Sequence, residues 1–156
     1  MKLTSRSFSD RAPMPLKYAH SGVNGGRNIS VPLMWNGAPP ETKSFALSIV
    51  DLHPIARKWV HWLVIDIPAT TSSLAEGASP SDMPTGAVEL KNTYGDIGYG
   101  GPEPPKGSGP HDYEFTLYAL NVERLSLKPD ITLATFTAAL QGKIIDSAKL
   151  VGTFER

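Results

Sequence analysis

The chain of 156 residues has the length of one ordinary domain, and no linker or internal repeat divides residues 1–156. Hydrophobic residues make up 40% and charged residues 19%, which is typical of a folded globular protein, and 15 basic residues balance 15 acidic ones. This balance argues against binding to nucleic acid, and the absence of cysteine excludes disulfides, thiol catalysis and thiolate metal sites. Because we find no membrane-span-length apolar run and no apolar signal-like stretch, we expect a cytoplasmic protein without integral membrane association.

The predicted elements are mostly β-strands separated by segments rich in glycine and proline. In chain order, we expect strands at 3–8, 44–51, 59–67, 87–90 and 113–121, a helix from about 132 to 141, and a last strand at 150–154. The helix is indicated by Leu133, Phe136 and Leu140 on one face, and Gly142 can end it. Several strands with one late helix and short peripheral helical turns predict a mostly β protein, either a β-sandwich or a β-rich α+β domain.

Three titratable residues lie at strand ends with the parity of apolar residues: Asp51, His61 and His111. The apolar rows are Phe45, Leu47 and Ile49 for Asp51; Trp59, Leu63, Ile65 and Ile67 for His61; and Tyr113, Phe115 and Leu117 for His111. Side chains at alternate positions share one face of a strand, so all three are expected to point inward at the rim of a sheet. Taken singly, an inward histidine is more often a satisfied core residue, and an inward aspartate more often caps a turn.

A loop at 99–110, rich in glycine and proline, leads directly into His111. Glycines let backbone N–H groups approach a ligand, and such groups can cradle an anion. A rigid surface connection is the simpler alternative, since the loop has neither the P-loop spacing nor a Rossmann fingerprint.

Taken in order, the segments of this chain resemble the phosphatidylethanolamine-binding protein family, in its bacterial and archaeal Raf-kinase-inhibitor-like branch. The resemblance is carried by LMWNGAP at 33–39, TKSFAL at 42–47, Asp51, WVHWLVIDIPA at 59–69, NTYG at 92–95, YGGPEPPKG at 99–107, HDYEFTLYAL at 111–120 and LVGTF at 150–154. It implies a central antiparallel β-sandwich with a small pocket at one end that accepts phosphate-like anions and phospholipid head groups. By position, the pocket residues that it implies are Asp51, His61, Gly101, Pro104, Pro105, His111 and Tyr113.

Two departures from the family pattern bear on this pocket. Where the family has Asp-Pro-Asp-x-Pro, this chain reads Asp51-Leu52-His53-Pro54, and where it has His-Arg-Tyr, this chain reads His111-Asp112-Tyr113. If His53 points inward, it adds a switchable cation to the ligand-binding residues; if it points outward, it is a solvated surface histidine.

These features favour a non-enzymatic protein that binds a small anionic or phosphorylated ligand, with no cofactor. His61 and His111 would donate hydrogen bonds to the ligand's oxygens, and Asp51 would orient a histidine. The alternative is a metal-dependent hydrolase built from Asp51, His53, His61 and His111, whereas no serine is obviously paired with a histidine. A third possibility is a module that inhibits a kinase or another protein partner, and a homodimer is compatible with the sequence.

Overall fold

Two β-sheets and one α-helix make up the computed structural model, which describes residues 1–156. The strands are β1 (Lys2–Thr4), β2 (Ala12–Pro13), β3 (Leu33–Asn36), β4 (Ser44–Asp51), β5 (Val60–Pro68), β6 (Ser73–Leu74), β7 (Val88–Glu89), β8 (His111–Leu120) and β9 (Ile144–Phe154). The helix α1 spans Leu133–Leu140, and two one-turn 3₁₀ helices lie at Leu16–Tyr18 and Pro54–Ala56. The predicted mostly β class, with one late helix and short helical turns, is confirmed.

The two sheets pack face to face as a sandwich. The larger has the order β2-β9-β8-β4-β5-β7 and the smaller β1-β3-β6, and every pair is antiparallel except β2–β9. Trp35 of the smaller sheet and Phe45 of the larger meet in the core between them, with ring centroids 5.5 Å apart. The other face of the larger sheet is covered by α1, whose Phe136 and Leu140 pack in a second cluster. This accounts for the burial of every residue in β4.

The structure corrects several predicted boundaries. Strand β8 begins at His111, and β9 begins at Ile144 rather than at 150. The first half of β9 carries exposed or half-buried residues, such as Ser147 and Lys149, and β2 pairs with this edge only at Gly152 and Thr153. Polar residues at a partly open edge do not form the apolar run by which a strand is recognised. Strand β3 was not predicted, and the first strand ends at Thr4 rather than at 8.

His61 occupies a β-bulge, and the predicted row for it is wrong. Ile49 pairs with Trp62 and Val50 with Val60, so that His61 has no partner on β4. One inserted residue reverses the alternation of the strand from that point. Leu63 and Ile65 therefore face the helix-side cluster, and a second register shift, opposite Ala46, returns Ile67 to the core between the sheets. The His61 ring lies against Tyr113, which belongs to that same core.

Candidate functional site

The site lies at the end of the larger sheet where β4 stops and β5 and β8 begin. Asp51 and Tyr113 are directly opposite each other on β4 and β8, which places His111 on the same face two residues away. A pocket of about 420 Å³ opens here. Its lining residues are Asp51, Ile55, Ala56, Trp59, His61, Tyr94, Glu103, Pro104, Pro105, His111, Tyr113 and Arg156.

Asp51 and His111 form a buried pair at the pocket wall. His111 Nδ1 lies 2.6 Å from Asp51 Oδ2, and the two side chains are 1% and 5% exposed, respectively. The other carboxylate oxygen accepts from the backbone N–H of His53 at 2.8 Å, and His111 Nε2 lies 2.9 Å from Ser108 Oγ. Since both ring nitrogens of His111 already have partners, His111 is not the free donor to a ligand that we predicted.

His61 presents a lone pair to the pocket rather than a hydrogen. Its Nδ1 lies 2.7 Å from the carbonyl oxygen of Gly100, which can only accept, so Nδ1 carries the hydrogen. Burial lowers the pKa of His61 to about 4, although the Gly100 carbonyl and the charge of Asp51 oppose that shift. The neutral ring leaves Nε2 unprotonated, buried and without a hydrogen-bond partner. The prediction that His61 donates to a ligand's oxygens is therefore wrong near neutral pH.

The hydroxyl of Tyr113 is the second buried polar group at the pocket that lacks a partner. Tyr113 is 1% exposed, and burial, followed by the nearby charge of Asp51, raises the pKa of its hydroxyl. The ring lies 5.0 Å from that of His61, nearly perpendicular to it at 76°. Buried polar atoms are almost always satisfied, so two such atoms at one pocket indicate a place that a ligand or water completes.

The mouth of the pocket is formed by residues that sequence analysis did not single out as site residues. The His20 ring stacks on Tyr94 with centroids 4.3 Å apart, and its Nδ1 lies 2.6 Å from Glu103 Oε2. Arg156 donates from Nε to the carbonyl of Pro104 at 2.5 Å and lies 3.9 Å from Glu103 Oε1 through Nη2. Tyr94 and Glu103 lie within the segments that carried the family resemblance, and this was the one signal that pointed to them.

Of the eight predicted site residues, six line the pocket and two do not. Gly101 packs against the segment that contains Tyr18: a Cβ on Gly101 would lie 2.1 Å from the Tyr18 carbonyl oxygen. Its N–H donates to Asn28 Oδ1 at 2.7 Å and is not free for a ligand. Glycine is required here for close approach between backbones, as in other tight contacts.

His53 lies behind His111, in neither of the two orientations expected from the sequence. The two imidazoles stack with centroids 3.9 Å apart and an angle of 13° between their planes. His53 Nδ1 accepts from the N–H of Ile55 at 3.3 Å and caps the 3₁₀ helix there. His53 thus supports His111 without lining the pocket.

Three glycine amides of the loop between Tyr99 and His111, at 100, 101 and 107, are not the free donors that we expected. The N–H of Gly100 donates to the His61 carbonyl at 2.8 Å, and that of Gly107 donates to the Arg156 carbonyl at 2.9 Å. The loop contributes Pro104 and Pro105 to the wall instead, and the Gly100 carbonyl fixes the tautomer of His61.

The residues proposed for a metal site do not assemble as one. No group of three or more His, Asp or Glu side chains has a geometry suited to a metal ion. Asp51 and His111 bind each other, His53 caps a helical turn, and His61 faces Gly100.

Contrary to the sequence analysis, one serine is paired with a histidine. Ser108 Oγ, His111 and Asp51 form a hydrogen-bonded chain. However, Ser108 does not line the pocket, and its single hydroxyl hydrogen has a closer acceptor in the carbonyl oxygen of Pro105, at 2.7 Å. This arrangement differs from that of an activated nucleophile, whose hydrogen is directed to the histidine.

The fold and the site define a small β-sandwich binding protein with a polar pocket at one end of its larger sheet. The model of the phosphatidylethanolamine-binding protein family matches residues 4–155, and this chain belongs to that family, in its bacterial and archaeal branch. It is 38% identical to a UPF0098 protein of Methanothermobacter thermautotrophicus over 100% of this chain and 99% of that one.

Solved structures agree with this assignment. Escherichia coli YbcL, described as a new member of the mammalian PEBP family, has a TM-score of 0.93 and 34% identity over 99% of this chain and 98% of its own. A PEBP homologue from Chlamydia trachomatis has a TM-score of 0.84 and 39% identity over 99% and 97% of the two chains. No helix of the present chain has both the length and the apolar character needed to cross a membrane.

Proposed function

We propose that this protein binds a small phosphorylated ligand, such as phosphate or a phosphoethanolamine-like head group, without transforming it. The observation that carries this proposal is the pair of unsatisfied polar atoms, His61 Nε2 and Tyr113 Oη, on two buried residues that line the pocket. A compact polar group at this end of the pocket would satisfy both atoms. Leaving a buried polar group unpaired costs about 1–3 kcal/mol, and a ligand that pairs it recovers part of that energy.

The remainder of the pocket suits a ligand with a negative charge and an apolar arm. Arg156 is the cation among the lining residues, and it can neutralise a phosphoryl group near the mouth. Ile55 and Trp59 form an apolar side of the same pocket and are 58% and 36% exposed, so an alkyl chain leaving the pocket would run over them.

Titration followed by NMR tests this proposal directly. Inorganic phosphate and phosphoethanolamine, added to millimolar concentration, should shift the resonances of His61, Tyr113 and Arg156. Tyr113→Phe should weaken binding because it removes one of the two unsatisfied groups. Tyr118→Phe, the same change on the same strand but outside the pocket, is the matched control. No shifts at the pocket residues with either ligand would refute the proposal.

The proposal extends to a regulatory role in the cytoplasm toward a kinase or another protein partner. Leu52, Ile55 and Trp59 are exposed on one short segment at the pocket mouth, so a partner that covers them would also sense whether the pocket is filled. A pull-down from cells with the purified protein, in the absence and in the presence of saturating phosphate, tests this role. A partner retained only in one of the two states would support it, and identical recovery in both would refute it.

A further inference from the structure

The pocket also constrains the protonation state of what it binds, and this inference rests on the function proposed above. We propose that the ligand presents a hydrogen-bond donor to His61 Nε2, and that this donor is the P–OH group of a singly protonated phosphate monoester.

The requirement for a donor follows from the tautomer of His61. A carbonyl oxygen cannot donate, so the 2.7 Å contact with Gly100 requires the hydrogen on Nδ1 and leaves Nε2 as an acceptor. Tyr113 Oη can donate or accept, so it accommodates either kind of neighbour. His61 Nε2 is therefore the atom that distinguishes ligands with a hydrogen to donate from those without one. A fully ionised oxyanion would place a lone pair against the lone pair of Nε2.

A P–OH group fits this end of the pocket better than an ammonium group does. An ammonium carries three hydrogens, and each of them must find an acceptor when it is buried. Each oxygen of Asp51 already accepts one hydrogen bond, from His111 or from the N–H of His53, and the pocket atoms without any partner are His61 Nε2 and Tyr113 Oη, two acceptors for three hydrogens. The phosphate monoanion offers one hydrogen to His61, and its other oxygens can accept from Tyr113.

The proton shared between ligand and His61 belongs mainly to the ligand. Burial holds the pKa of His61 at about 4, whereas the second pKa of a phosphate monoester is about 6. The titratable and charged groups around His61 are Asp51 from β4, Tyr113 and His111 from β8, and Tyr94, His20, Glu103 and Arg156 at the mouth. Any pH dependence that arises from these protein groups would act on every anionic ligand alike.

Two ligands of the same charge distinguish an effect of the P–OH group from an effect of the protein's own titratable groups. Methyl phosphate is a monoanion with one P–OH group below pH of about 6, whereas dimethyl phosphate is a monoanion without one. We expect the affinity for methyl phosphate, measured by NMR or calorimetry from pH 5 to 8, to fall by about tenfold per pH unit above the second pKa of the ligand. Dimethyl phosphate should bind at least tenfold more weakly at pH 5, and its pH profile reports the protein groups alone. For methylphosphonate, whose second pKa is higher, the midpoint should move upward accordingly.

The outcomes distinguish this inference from the function on which it rests. If methyl phosphate and dimethyl phosphate bind equally at pH 5, the protein binds phosphorylated ligands but the donor requirement is wrong. If ethanolamine binds at the pocket and methyl phosphate does not, an ammonium supplies the donor and the assignment to P–OH is overturned. If none of these ligands binds, the proposed function itself fails. A long-range ¹H–¹⁵N spectrum that showed a hydrogen on Nε2 of His61 at pH 7 would contradict the starting geometry independently of any ligand.

Discussion

The imidazole of His53 stacks on that of His111, with ring centroids 3.9 Å apart and planes 13° from parallel. This contact shields His111 from solvent on the side away from the pocket, while Asp51 and Ser108 hold its two nitrogens. His53 thus supports the pocket wall through His111 without lining the pocket itself. The stabilising effect of the stacked ring can be separated from the second role of His53, which is to cap the turn at Ile55.

The two roles of His53 predict different costs for two substitutions. His53→Asn keeps an acceptor for the Ile55 N–H but removes the ring, and we expect it to lower the free energy of unfolding by about 1 kcal/mol. His53→Phe keeps the stacked ring and loses only a long 3.3 Å cap, so it should cost less. Urea unfolding of both variants measures this difference. If the phenylalanine variant proved the less stable of the two, the cap and not the stack would be the main contribution of His53.

Loss of the carboxylate of Asp51 should strongly destabilise the fold. Asp51→Ala leaves the buried His111 ring and the backbone N–H of His53 without their acceptor, and each buried donor left unpaired costs about 1–3 kcal/mol. Asp112→Ala is the control: this residue makes only a 3.9 Å contact between exposed side chains with Arg11, and such pairs contribute about 1 kcal/mol or less. Chemical denaturation would show the contrast. A similar small loss in both variants would mean that the Asp51–His111 pair does not stabilise the fold.

We expect the folded protein to lose stability in mild acid because His61 is buried in its neutral form. Because burial lowers its pKa from 6.5 to about 4, the unfolded chain takes up a proton before the folded chain does. Stability that is fully present above pH 6.5 should therefore be lost as the pH falls toward 4, by about 3 kcal/mol at about 1.4 kcal/mol per unit.

The measurement for His61 is the free energy of unfolding between pH 7 and 4, compared with that of His61→Gln. The other histidines and the carboxylates are common to both proteins, so the difference between the two curves isolates His61. We expect the variant to lose about 3 kcal/mol less over this range. Parallel curves would show that His61 titrates normally in the folded protein.

Ser108 is predicted not to act as a nucleophile, although it forms a chain with His111 and Asp51. Its hydroxyl hydrogen is directed to Pro105 O, and the residue lies outside the pocket lining. A fluorophosphonate probe, which labels activated serines, should therefore not modify the protein, as measured by mass spectrometry. Ser108→Ala is the control for any modification that occurs. Labelling that is abolished by this substitution would revive the hydrolase alternative.

Strand pattern was enough to predict β4 and the approximate position of β5. It also placed Asp51 and His111 on inward-facing rows at strand ends, because side-chain alternation is a local property of an extended chain. That they meet at one pocket with Tyr113 was implied only by the family resemblance. Six of the eight expected site residues line the pocket, and Pro104, Pro105 and Tyr113 among them were expected from the family resemblance and not from the strand pattern.

The hydrogen-bonding character of the pocket was decided only by the tertiary structure. A bulge turned His61 toward Tyr113, and the distant Gly100 carbonyl fixed which nitrogen of its ring carries the hydrogen. The mouth at Arg156 and His20 joins residues from opposite ends of the chain. The sequence determines which side chains are present and which face of a strand they share. Donor, acceptor and charge at each atom depend on burial and on partners far away in the chain, and local alternation carries no information about them.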